Sequence, residues 1–564
     1  MNKKSPYIQK VSKQKHLIPE IADWPLYQLY SNREGFIHEI NQATLAHFEN
    51  HTASEMKSIL DKTMYQERVR MKRKAWKVDP PNEKLFWKRI ASEIEEAEKL
   101  EVEEHKKQIF SELLLRVINR FSEEIAGNFS VKTFLFARKF LTFFFGRLLN
   151  AAASKGIPRI FGTKHRLQES LPIAGHVELT RQLFDKGVVI LVPTHFSNLD
   201  SILLGYVLDF MVSIPAFHYG AGLNLYNAEI AAYFMNRLGA YRLDRRKKNA
   251  IYMQTLKSMS SLSIQKGVNT IFFPGGTRSR SGHIEQQLKL GLLSTCLDAQ
   301  RSLLQAGSHK KVFIVPVVLN YHFVLEAKYL VDEHLSRKGK EKYIRSKDSS
   351  NSWRSNLKFI YNLFSTESEV LTSFGPPTDV FGNEVNQSGE SLNKEGKPID
   401  ISEYFMRNGL IVQDEQREFI YTRFLGEKIA DSFKRYNVVL SSDLVAFTAF
   451  QLLLEKAQDS DLFSVLRSPE EDFQVEWSVF IEALQNVYHQ VMELAEQDKI
   501  RIQEEFKADI ADIALEGLNK IGAYHADKPL YLKSGYVYSE NFKLLYYYHN
   551  RLDIYDLSLR KSAN

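Results

Sequence analysis

The chain has 564 residues, more than one small domain holds and enough for two or three. Apolar residues make up 44% and charged residues 25%, which excludes a largely disordered chain, and no period marks collagen or a solenoid. A single cysteine, Cys296, excludes an internal disulfide and a cysteine-based metal site and fits a reducing compartment; the net charge of +7 suits an anionic surface or a phosphorylated substrate but is too small to point to nucleic acid.

The first ten residues are polar, so no signal peptide is expected. Residues 1–130 read as a charged, helical region. Within it Glu93 to Lys107 predicts one exposed helix, and Arg68 to Lys77 is a basic run of the kind that usually faces solvent. Residues 131–155 predict an amphipathic helix rich in Phe and Leu. At 100° per residue Lys132, Lys139 and Arg147 share a face that Arg138 does not join. Its charges make it too interrupted to span a bilayer, so it suits a membrane interface or burial between domains.

From 156 to 380 the pattern becomes α/β, with short β-branched runs, turn residues and amphipathic stretches in succession. Val188–Val192, Asn269–Phe273 and Val312–Leu319 read as strands, and a helix is expected from about Leu199. Glu341 to Asn356 is polar enough for a surface insertion, residues 381–400 read as a linker, and 401–564 reads as helical. Cys296 falls on an apolar helix face and is expected in the core.

Four segments carry candidate chemistry. His195 and Asp200 stand five residues apart across a strand-to-helix turn, where a carboxylate can fix the tautomer of an imidazole that takes a proton from a hydroxyl. Phe272-Phe-Pro-Gly-Gly-Thr-Arg-Ser-Arg-Ser-Gly282 follows another strand. Its glycines allow close backbone approach to an anion, and Arg278 and Arg280 add forked donors for phosphate oxygens. Gly239 to Lys248 is a cationic cluster that contains Arg245. Ile314 to Tyr321 is a strand with an internal proline, which implies an edge, a bulge or a strand end. The spacings of a Walker loop, a G-x-S-x-G elbow and an H-E-x-x-H zinc site are absent.

In this order the four blocks resemble those of the glycerolipid phosphate acyltransferase superfamily: H-x4-D, G-x-x-x-I-x-R, F-P-E-G-[TG]-R-S and V-P-V. The R-S-R-S-G stretch, Tyr321 and Glu326 resemble the large glycerol-3-phosphate acyltransferases, as do Val438 to Ala446 and Leu545 to Asn550. Three positions depart from the pattern. Thr194 stands where an Asn commonly precedes the His, Gly275 where most members carry Glu, and Asp244 precedes Arg245 as in lysophosphatidate enzymes.

The resemblance implies a central α/β acyltransferase domain between helical N-terminal and C-terminal regions. It implies a transferase of phospholipid biosynthesis that moves a fatty acyl group from acyl-CoA or acyl carrier protein to glycerol 3-phosphate, with lysophosphatidate as the alternative acceptor. His195 would be the general base and Asp200 its orienting partner. Arg245, Gly275, Gly276, Thr277, Arg278, Ser279 and Arg280 would form the substrate site. No metal or redox cofactor is implied, because the thioester supplies the driving force. The expected partners are the thioester donor, the glycerol phosphate acceptor and a membrane lipid surface, with no nucleic acid, and the expected location is peripheral on the cytoplasmic face of a membrane. A different class, a catalytically silent lipid-phosphate-binding peripheral protein, would keep the basic loops without needing the His195/Asp200 pair.

Overall fold

The computed structural model describes residues 8–9, 15–72, 79–80, 82–150, 171–223, 233, 235, 237–338, 370–457, 461–469, 473–503, 506, 508–523 and 525–559. An eight-stranded sheet forms its centre. The strands are β1 (Ile8–Gln9), β2 (Ile173–Gly175), β3 (Gly187–Pro193), β4 (His218–Gly222), β5 (Ala240–Leu243), β6 (Thr270–Ile271), β7 (Lys311–Tyr321) and β8 (Val370–Phe374), in the spatial order β1-β2-β8-β7-β3-β6-β4-β5. From β7 through β3, β6 and β4 to β5 the pairing is parallel. β8 runs antiparallel to β7, and β1 antiparallel to β2.

A parallel strand needs both faces covered, and β3 and β7 meet that need residue by residue. Val188, Ile190 and Val192 join one apolar cluster with Val312, Ile314 and Val318; Val189 and Leu191 join another with Phe313, Val315, Val317 and Leu319. The period-two alternation of a pleated strand thus sorts one apolar run into two cores. Pro316 lies inside β7, in register with Val192 of β3. It is tolerated because β7 changes neighbours there: the β8 ladder ends at Val317–Phe374, and the next link is the isolated bridge Ile314–Thr378. β6 is shorter than the expected Asn269–Phe273, because the Asn269 side chain takes over pairing and accepts the Val189 N–H at 2.8 Å.

The N-terminal region is a helical bundle. It comprises α1 (Pro25–Ser31), α2 (Arg33–Ala46), α3 (Ala53–Met71), α4 (Glu83–Glu98) and α5 (Glu103–Ile125), packed around their own core against Tyr241, Ile251 and Tyr252. The single helix expected over 93–107 is two helices, α4 and α5, because the buried stripe lapses between Ala97 and Phe110 and Val102 is extended. The basic run beginning at Arg68 turns inward at Arg70, which is buried against Glu67 and Glu83; residues 73–78 lie outside the described set.

Helix α6 (Val131–Asn150) follows. Ala137 and Thr133 are buried, Phe134 and Leu141 pack against the two large cores, and Arg138 is held by Asp209 at 2.7 Å. Lys132, Leu135, Phe136, Lys139 and Phe140 form its exposed stripe, with Phe136 58% exposed. Over residues 131–142 one face of the helix is packed on the cores and the other is exposed. No helix among the described residues is long and apolar enough to cross a membrane.

Further helices are α7 (Asp200–Tyr206), α8 (Ala250–Gln265), α9 (Leu290–Gln305) and α10 (Ala327–Lys338). The C-terminal region adds α11 (Glu415–Arg435), α12 (Ser441–Lys456), α13 (Trp477–Glu496), α14 (Ile510–Lys520) and α15 (Phe542–His549). Much of that region shares the core beneath β3 and β7. Cys296 is buried, as expected. The stretch 382–397 consists of turns and a short strand, Ser391–Leu392, which pairs with Pro398–Ile399; Gly389 packs on Lys186 and Phe313. The insertion expected at Glu341–Asn356 lies outside the described residues.

Candidate active site

The loops that carry the predicted residues leave the carboxyl ends of β3, β5, β6 and β7, the edge where open α/β sheets present ligand sites. The first loop brings His195 back towards the start of α7, and His195 Nδ1 lies 2.8 Å from Asp200 Oδ2. The same oxygen accepts the backbone N–H of Phe196 at 2.7 Å and of Ser197 at 3.0 Å, while Oδ1 accepts the Tyr321 hydroxyl at 2.6 Å. Asp200 is fully buried, and these four donors replace its lost hydration. A carboxylate only accepts, so the proton of the His195–Asp200 bond sits on Nδ1 and leaves the Nε2 lone pair available. The His195 ring lies 4.2 Å from that of Phe273, and its side chain keeps 16% exposure.

His195 opens onto a cavity of about 240 Å³. Arg245, Thr277, Arg278 and Arg280 line it together with Ser201, Leu243, Leu330 and Glu333. Residues predicted from three separate blocks thus meet beside the imidazole. Arg278 lies 3.3 Å from Glu326, and Arg280 Nε 2.9 Å from Glu333. Burial, reinforced by the nearby Arg280 and Arg278, lowers the pKa of Arg245, which has no carboxylate partner among the described residues. Arg246 also reaches the cavity but is paired with Asp244 and Asp79.

Gly275, Gly276 and Ser279 do not line the cavity. Gly276 has a φ of +72°, the left-handed conformation that turns the loop; a β-carbon at Gly275 would press on Glu285 at 3.0 Å; and Ser279 spends its N–H on the His195 carbonyl and its hydroxyl on the His283 carbonyl. They shape the loop and do not face the space beside His195. No group of His, Cys, Asp and Glu able to hold a metal ion occurs among the described residues.

Two residues near the site carried no signal in the sequence. Glu285 accepts the His195 backbone N–H at 3.2 Å, and Arg551, from the C-terminal region, lies 4.2 Å above the Phe196 ring. Glu326 was legible only through its resemblance to the fourth block; here it accepts the Ser197 hydroxyl at 2.9 Å and the Asn198 N–H at 3.0 Å.

Residues 171–320 match the family model described as Acyltransferase. That segment is an acyltransferase domain. It begins before β2, ends within β7 and includes the His195–Asp200 pair and all three arginines. The chain is similar to glycerol-3-phosphate acyltransferases of three bacteria. Identity is 28% over 268 residues for the Aeromonas hydrophila protein, covering 47% of this chain and 30% of the relative. It is 27% over 321 residues for the Shewanella frigidimarina protein (56% and 36%) and 30% over 238 residues for the Shewanella amazonensis protein (42% and 26%). The resemblance read from the four blocks is borne out, and the chain spans about a third of the length of the curated relatives it matches.

Proposed function

We propose that this chain transfers a fatty acyl group from a thioester, acyl-CoA or acyl carrier protein, to a hydroxyl of glycerol 3-phosphate. The observation that carries the reading is the convergence of Arg245, Arg278 and Arg280 with the exposed edge of a carboxylate-held imidazole in one cavity. The arginines bind the acceptor phosphate with charge-assisted hydrogen bonds. His195 Nε2 takes the hydroxyl proton as the oxygen attacks the thioester carbonyl, and Asp200 stabilises the imidazolium that forms. Collapse of the tetrahedral adduct breaks the C–S bond, and the thiolate recovers the proton from His195. The relatives' names support glycerol phosphate as acceptor.

A radiolabelled acyl-transfer assay that offers glycerol 3-phosphate and lysophosphatidate in parallel tests this reading, with incorporation expected into the first. His195→Ala should lower turnover about 10²–10⁴-fold in a folded protein. Near-normal turnover by that variant would refute the mechanism.

The exposed stripe of α6, with Leu135, Phe136 and Phe140 between Lys132 and Lys139, supports peripheral binding to anionic lipid, where the acyl product would partition. In this reading the chain works at a membrane surface, on its cytoplasmic side. Liposome co-sedimentation should fall at high salt and when Phe136 and Phe140 both become Ser.

A further inference from the structure

The loop from Phe272 to Leu288 holds a carboxylate for which the proposed mechanism has no task. Glu285 is partly buried, and its Oε1 accepts the backbone N–H of His195 at 3.2 Å. Its Oε2 is buried with no hydrogen-bond partner among the described residues. The side chain lies where a residue at position 275 would have to be: a β-carbon on Gly275 would stand 3.0 Å from Glu285 Cγ and 3.1 Å from Oε1. Gly275 is not in the left-handed region, so the backbone there would accept a side chain, but the Glu285 side chain would have to shift by a few tenths of an ångström to admit it. The loop is bound to His195 from the other direction too, since the Ser279 N–H donates to the His195 carbonyl at 2.7 Å. Both backbone polar groups of the histidine thus end on one segment.

We propose that Glu285 is the positioning residue of the base: it fills the space left by Gly275 and fixes the His195 backbone, so that the imidazole meets the acceptor hydroxyl in line. The inference rests on the reading that His195 is the base. Burial pushes the Glu285 carboxyl up to about 7, while its own backbone N–H, that of His195 and the nearby Arg551 pull it down and the Asp200 charge pushes it up. Oε1 can accept the His195 N–H whether or not the other oxygen carries a proton, so positioning does not require the charge.

Four single variants of the full chain and one double variant test this in the acyl-transfer assay. His195→Ala comes first, because it judges the underlying reading by itself. If that variant is inactive, Glu285→Ala should lower kcat about ten- to a hundredfold, as misplacement of a catalytic group does, while KM for glycerol 3-phosphate stays within about threefold. Glu285→Gln keeps the acceptor and the volume and should restore kcat to within about threefold of wild type. Gly275→Ala should lower kcat on its own yet add nothing in the Glu285→Ala background, because both disturb one contact. Should Glu285→Ala fail to fold, Gly275→Ala and Glu285→Gln still decide the matter. Wild-type kcat for folded Glu285→Ala or for Gly275→Ala, a Gln variant as slow as the Ala variant, or fully additive effects would overturn the proposal.

Discussion

The two helical regions brace the two basic loops by different physics. The N-terminal bundle holds the loop of Arg245 through charge. Arg70, buried between Glu67 and Glu83, reaches Asp79 at 3.5 Å; Asp79 pairs with Arg246, Lys247 pairs with Glu124, and the Asn249 amide donates to Glu67 at 3.1 Å. The neighbours of Arg245 are thereby neutralised, and its own charge is left for the cavity. The C-terminal region holds the loop of Arg278 and Arg280 mainly through shape and neutral dipoles, with one contact to a carboxylate at the surface. The Asn550 amide donates to the Ser281 carbonyl at 2.7 Å, the Tyr547 carbonyl occupies the space beside Gly282, and His283 meets Asp553 at 3.1 Å near the surface. An ion-pair brace tolerates small displacements and fails when a charge is lost. A close-packed brace tolerates changes of charge and fails when an atom is added.

The largest expected effect breaks the charged side of this contrast. Arg70→Ala strands two buried carboxylates and should cost about 3–5 kcal/mol of stability in urea unfolding. A cost below about 1 kcal/mol would mean that the network is incidental. Next, Arg278→Ala should weaken the apparent affinity for glycerol 3-phosphate ten- to a hundredfold, or about 1.5–3 kcal/mol, and leave that for the thioester unchanged. If donor affinity falls instead, this loop serves the donor. On the neutral side, Asn550→Ala removes one hydrogen bond of the second brace and should cost about 0.5–1.5 kcal/mol in the same unfolding experiment.

The smallest effect on turnover belongs to Asp443→Asn, which should leave it unchanged and appear only in the pH dependence of stability. Burial raises the Asp443 carboxyl from 3.8 to about 7, with Arg551 and the Leu440 N–H opposing. A raised acid favours folding at low pH. The unfolded chain ionises first, so this contribution is lost between pH 3.8 and about 7. Unfolding midpoints of wild type and variant should therefore diverge across that window in the variant's favour. Parallel curves would show that the group titrates normally.

What could be read in the sequence divides along the same line. β3, β7 and the His195–Asp200 turn were legible because each is local: an apolar run followed by a short-range pair. The arginines could be named but not placed together, since only the sheet order joins the loop after β5 to the loop after β6. Glu285 and Arg551 left no trace, because their contacts with the loop of His195 and Phe196 span 90 and 355 positions and neither belongs to a pattern. The break between α4 and α5 was missed for the opposite reason. Glu and Lys favour helix throughout, and only the lapse of the buried stripe marks the turn.

The cluster of Arg245, Arg278 and Arg280 also acts before anything touches it. Glu326 and Glu333 balance Arg278 and Arg280, so among the described residues the uncompensated charge at the cleft is that of Arg245, and its field draws anions towards the cleft and raises their rate of encounter. That influence reaches about one Debye length, roughly 8 Å at physiological ionic strength, and contracts as salt is added. Salt should therefore slow the capture of a dianionic acceptor, read as kcat/KM, well before it slows the turnover of an acceptor already bound.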